Sequence, residues 1–218
     1  MAGASSLAGS KFDSAAYLPG ALYHLEQSKA LMEAGDYQMS TAHSRMVLHD
    51  QGLQVFVSDD DNKMYRKAAE KAVSFWNETL GEGALVITEN RDQAKVSIIF
   101  EREVTLNGTP VGGYCAQSRS IGYDDQGQPT PLYRATIMTR TMVGRHKLNE
   151  ACLVNIIAHE IGHVYGLNDC TDQGHLMSAL NLRRPKFELD DDELEALQQF
   201  RLTAFEILRS TEAAPKQN

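Results

Sequence analysis

The residues best equipped for chemistry lie in a single run, His159-Glu160-Ile161-Gly162-His163-Val164-Tyr165-Gly166-Leu167-Asn168-Asp169. On a helix, residues four apart differ by roughly 40° in rotation and about 6 Å along the axis, so His159 and His163 leave one face and can converge on one metal ion. Glu160 lies roughly 100° round from His159, where its carboxylate reaches a water on the ion rather than the ion itself, the place for a general base. A third protein ligand must come from chain that turns back under the metal. Gly166 can adopt the left-handed conformation that ends a helix, and Asp169 follows with a carboxylate. Asp172 and His175 are further candidates for the third position; the spacing favours Asp169, because the others need a longer excursion. H-E-x-x-H followed by this Gly and this Asp is expected about 0.00007 times by chance in a chain of this composition, which leaves little room for ordinary surface histidines.

A helix must carry the two histidines, and Asn149 is placed to cap one running from Glu150 to about Tyr165. Upstream, Leu53 to Ser58 alternates as a strand, the acidic cluster Asp59 to Asp61 is expected to cap a helix reaching about Leu80, and Gly81 ends it. Ala84 to Thr88, Ala94 to Phe100, Gly113 to Tyr123 and Leu132 to Arg140 read as strands, the last two joined by the turn residues Asp124 to Pro129. A final helix starts at Asp190, where Asp190 and Glu193 fit a capping box ahead of Leu194, Leu197, Phe200 and Phe205. Before all of these, Leu18, Leu22, Leu25 and Leu31, then Met39, Ala42, Met46 and Val47, mark a helical hairpin broken at Gly35.

The chain of 218 residues, 42% hydrophobic and 23% charged, can bury a core without cross-links. Its net charge of -8 lacks the basic excess of a nucleic-acid binder, and no apolar run is long enough to span a bilayer. Cys115, Cys152 and Cys170 form an odd set, compatible with one disulfide and a thiol or with three thiols. Met1 to Lys11 lacks the hydrophobic core of a secretory signal, so the expectation is a cytoplasmic chain or one whose signal has been removed.

The run from His159 to Asp169 resembles the metzincin zinc endopeptidases, whose motif is H-E-x-x-H-x-x-G-x-x-H or, in the snapalysin group, H-E-x-x-H-x-x-G-x-x-D, the form that Asp169 fits. A methionine turn beneath the metal is implied, and His175-Leu176-Met177-Ser178 stands where it would be, with Met177 as its methionine. Val55 to Leu80, Ala94 to Phe100, Gly112 to Ala116 and Leu189 to Phe200 follow the order of the matrixin branch and resemble its local patterns. The resemblance implies an α+β, metzincin-like fold: a mixed twisted sheet with a long backing helix and a zinc-site helix, preceded by the N-terminal helical hairpin. The expected divisions are 1–51 for a flexible leader and the hairpin, 52–210 for a zinc metalloprotease domain, and 211–218 for a mobile tail.

The implied activity is hydrolysis of peptide bonds in extended polypeptides, with one catalytic zinc ion on His159, His163 and Asp169 and with Glu160 as general base. Calcium is compatible with the resemblance as a further ion but is not indicated. Gly113, Tyr114, Cys115 and Ala116 would open the edge strand against which substrate pairs; an ordinary glycine-rich strand is the plainer alternative. Arg183, Arg184 and Lys186 fall where the family walls the pocket after the cleaved bond, unless they are only a solvated basic loop. No cysteine precedes Cys115, so a latency role for the hairpin would fall to Asp13, Asp36 or His43. A disulfide involving Cys170 would brace the ligand loop, and because the family is mostly exported, a secreted or periplasmic chain with its signal removed is favoured over a cytoplasmic one. The competing function is a binding or adaptor protein, with a structural zinc site and the hairpin engaging a protein partner. A zinc amidase acting on a non-protein substrate would share the same chemistry.

Overall fold

The computed structural model describes residues 14–50, 52–58, 62–171, 174–181, 183–186 and 188–214. In chain order its elements are helices α1 (Pro19–Glu33) and α2 (Tyr37–Leu48), strand β1 (Leu53–Val57), helix α3 (Lys63–Leu80), strands β2 (Leu85–Thr88), β3 (Val96–Glu101), β4 (Val104–Leu106), β5 (Thr109–Val111), β6 (Gly113–Tyr123), β7 (Pro129–Arg140), β8 (Met142–Val143) and β9 (His146–Lys147), then helices α4 (Glu150–Val164) and α5 (Asp191–Glu212). The expected α+β architecture is present.

Strand β1 buries Leu53, Val55 and Val57 and exposes Gln54, the period-two pattern of a strand laid on a core. It belongs to a five-stranded sheet ordered β2-β1-β3-β7-β6. The first four strands run parallel, and β6 closes the edge antiparallel to β7, from Gly113 opposite Thr139 to Tyr123 opposite Pro129. Helix α3 packs along α4, and the Trp76 indole N–H donates to the carbonyl of Ala158 at 2.9 Å. Trp76 is fully buried, so truncating it to Ala would cost about 3–5 kcal/mol. A second apolar cluster, including Tyr17, Leu25, Leu48, Phe200 and Ile207, joins the hairpin to α5.

Several local expectations are corrected. Asn62 caps α3 by accepting the Met64 N–H, whereas Asp59 to Asp61 lie outside the described residues. Leu18 precedes α1, whose buried face is Ala21, His24, Leu25 and Ser28 rather than a leucine stripe. The hairpin interior is polar: the Ser28 hydroxyl meets those of Ser40 and Ser44, and His24 meets His43. Phe205 is exposed, and Ala204, Ile207 and Leu208 fill the core instead. Helix α5 runs two residues into the stretch assigned to a tail, with Thr211 buried against Thr41. The leader and residues 215–218 lie outside the described residues. Cys115, Cys152 and Cys170 are all thiols, so no disulfide braces the ligand loop. Among the described residues no helix is long and apolar enough to cross a membrane.

Candidate metal centre and active site

Asn149 caps α4 by accepting the Cys152 N–H at 2.9 Å. Nearly every residue of α4 is buried, as befits a helix threaded through the core rather than laid on it. Its end is a Schellman turn: Gly166 has φ +90°, its N–H donates to the carbonyl of His163, and the Leu167 N–H reaches the carbonyl of Gly162. The turn reverses the chain and brings Asp169 back under the two histidines.

The imidazoles of His159 and His163 stand 4.9 Å apart, edge to face. His159 Nδ1 lies 2.8 Å from the carbonyl of Leu176, and His163 Nδ1 lies 2.9 Å from that of Leu167. Because a carbonyl only accepts, each Nδ1 carries a hydrogen, and each Nε2 presents a lone pair whenever its imidazole is neutral. Both Nε2 atoms face Asp169 Oδ1, at 3.2 and 3.6 Å. The cluster draws positive charge. Hydrogen bonding from His159 holds Asp169 below the usual carboxylate range, and burial pulls His163 down. His159 is lowered by burial, but Asp169 and Glu160 outweigh this and leave it above its ordinary value.

Glu160 is buried, and desolvation, helped by the charge of Asp169, pushes its carboxyl up to about 7. The Cys115 N–H on the edge strand donates to it and works in the opposite sense. A β-carbon on Gly113 would stand 2.6 Å from Glu160 Oε1 and 2.7 Å from Ile156, so β6 passes directly over the carboxylate. Cys115 is buried, its thiol pushed up to about 12 by desolvation and the charge of Glu160, while Tyr114 and Ala116 are half-buried on the strand that ends the sheet.

Beneath the helix, Met177 is buried, and a β-carbon on Gly162 would stand 2.3 Å from its sulfur. The turn that carries it is pinned from below by Glu193. One carboxylate oxygen accepts the Met177 N–H at 2.6 Å; the other accepts the N–H groups of Leu176 and Asp190. Glu193 thus closes its capping box and fixes the loop whose Leu176 carbonyl orients His159. Its spacing identifies the cap; nothing in the sequence shows the reach to Met177.

Two other supports are invisible to sequence patterns. Gln117 and Arg119 on β6 donate to the carbonyls of His163 and Val164, holding the last turn of α4 where its dipole favours a cation. The segment before α1 lies antiparallel to the ligand loop: Tyr17 bridges Leu167, the Leu18 N–H donates to Gly166, and the Asn168 N–H to Ala16.

The remaining candidates lie elsewhere. Asp13 and Asp172 are outside the described residues. Asp36 caps α2 and His43 bonds His24, so both have structural partners within the hairpin. His175 Nδ1 pairs with Asp190 Oδ2 at 2.6 Å rather than joining His159 and His163. Arg183 and Arg184 are exposed, while the Lys186 ammonium donates to the carbonyl of Gly174.

Two imidazole Nε2 atoms that a metal ion would find free of their protons and a carboxylate oxygen, drawn together with the Nδ1 hydrogens turned away, fit a zinc ion with an open fourth position. The sequence model of the matrixin family matches residues 50–201. No curated protein matches the chain.

Proposed function

Starting from the chain's membership of the matrixin family of zinc metallopeptidases, we propose that it is a zinc-dependent endopeptidase that hydrolyses extended polypeptides, with Glu160 as its general base. The observation that carries this reading is the position of Glu160. Its carboxylate is buried one residue from His159, fastened by the Cys115 N–H and overlain by Gly113, on the strand that ends the sheet.

His159 Nε2, His163 Nε2 and Asp169 would hold the ion. Bound there, zinc supplies a Lewis acid for the scissile carbonyl and makes a water acidic near neutral pH. Glu160 accepts that water's proton on its carboxylate, keeps it in a site shielded from bulk solvent, and delivers it to the departing amine nitrogen. Burial raises the Glu160 carboxyl in the metal-free site, and beside a divalent ion on the neighbouring ligands it would return to the carboxylate form that accepts a proton. Asp169 in place of a third neutral ligand makes the site one unit less positive, which moderates the acidity of the water.

An extended peptide would add itself to β6 at Gly113 to Ala116, held by main-chain hydrogen bonds with side-chain pockets selecting it. Support comes from the sheet order, in which β6 has a neighbour on one side only. Cleavage of a peptide library, run with and without a chelator, tests the proposal: chelator-sensitive cuts within extended peptides support it, and a zinc-loaded chain that cuts none contradicts it.

A further inference from the structure

Beside the His159 cluster, a second group of donor side chains converges from three segments. Cys170 follows Asp169 on the ligand loop, His175 opens the methionine turn, and Glu193 lies in the first turn of α5. One donor atom of each lies within 4.8 Å of the others. We propose that these three residues bind a second, structural metal ion of the zinc class, which fastens the ligand loop and the methionine turn to α5.

The donors suit such an ion. A thiolate, an imidazole and a carboxylate form a set that zinc accepts readily and that calcium or magnesium does not. One thiolate and one carboxylate neutralise a divalent ion, so a partly buried site would hold no uncompensated charge. The donors are also held in advance. His175 gives its Nδ1 hydrogen to Asp190, which leaves Nε2 bare, the carboxylate–histidine arrangement that orients metal-bound imidazoles. Glu193 is fixed by main-chain N–H groups, and its Oε1 accepts only that of Met177 among the bonds described, so a lone pair remains. Cys170 is placed by its own N–H, which donates to the Met177 carbonyl at 2.9 Å.

The consequence is mechanical. Glu193 holds the N–H groups of Leu176 and Met177, and the Leu176 carbonyl orients His159. An ion on Glu193 would therefore stiffen the floor under the first cluster without touching substrate. The proposal does not depend on hydrolysis and survives if the chain proves to cut nothing.

Cobalt(II) is the probe, because only the second site offers it a thiolate. The full chain, stripped by chelation and reloaded with cobalt, should show a near-ultraviolet thiolate-to-cobalt charge-transfer band. Cys170→Ser should abolish the band and lower the bound metal by one ion per chain. His159→Ala combined with His163→Ala should lose the other ion and keep the band. Absence of the band from the wild-type protein overturns the proposal whether or not any variant folds, and so does a band that persists in Cys170→Ser.

Discussion

The space that a side chain on Gly113 would occupy is taken by the carboxylate of Glu160: a β-carbon there would stand 2.6 Å from Oε1. The edge strand and Glu160, the proposed general base, are thus closely fitted to each other. Gly113→Ala should displace Glu160 while leaving zinc in place. A loss of about a hundredfold in kcat with unchanged metal content is the expected result, within the range that a general base contributes. Full activity in this variant would show that the contact is not needed.

Gly162 stands in the same relation to Met177, with 2.3 Å between the β-carbon position and the sulfur. Gly162→Ala must displace the Met177 side chain and is expected to disturb the turn that carries it, whose Leu176 carbonyl orients His159. Destabilisation of about 1–3 kcal/mol by chemical denaturation is expected, as for other overpacked cores, together with weaker zinc retention in a chelator competition.

The charge of Asp169, the proposed third ligand, should be visible in the pH profile. Asp169→His replaces a carboxylate with a neutral donor, making the site more positive and the activated water more acidic. The acidic limb of kcat/KM should therefore move to lower pH in the zinc-loaded variant. An unmoved limb would remove Asp169 from the ligand set.

The hairpin should loosen in acid. Burial, and then the charges of His43 and Arg119, lower His24 from 6.5 to about 4. Above pH 6.5 neither folded nor unfolded chain binds this proton; between 6.5 and 4 the unfolded chain takes it and the folded chain does not. Stability from this group is thus present above 6.5 and lost as pH falls towards 4. The Tm of the wild-type protein should drop more steeply across that window than that of His24→Leu, and parallel curves would contradict the assignment.

What the sequence makes legible is what obeys a period or a spacing. The strands at Leu53 and Gly113, the caps at Asn149 and Asp190, and the left-handed Gly166 are all read from local chemistry. The hairpin between β4 and β5 was open to the same reasoning, since Asn107 and Gly108 both take positive φ and form the Asn-Gly turn that such hairpins favour. Contacts between distant segments leave no such trace. Glu193 reaching Met177, Arg119 holding the end of α4, and Tyr17 pairing with Leu167 depend on how elements dock, and polar residues inside the hairpin give no apolar stripe to read.

Glu160→Gln tests the central claim most directly, since it keeps the shape of the side chain and removes its basicity. Wild-type and variant proteins would be loaded with zinc, assayed for metal content, and compared on an unfolded protein substrate such as casein. The account predicts equal zinc at the His159 cluster and a fall in kcat of about 10²–10⁴. Hydrolysis by the variant at the wild-type rate, or no hydrolysis by a zinc-loaded wild-type protein, would contradict it.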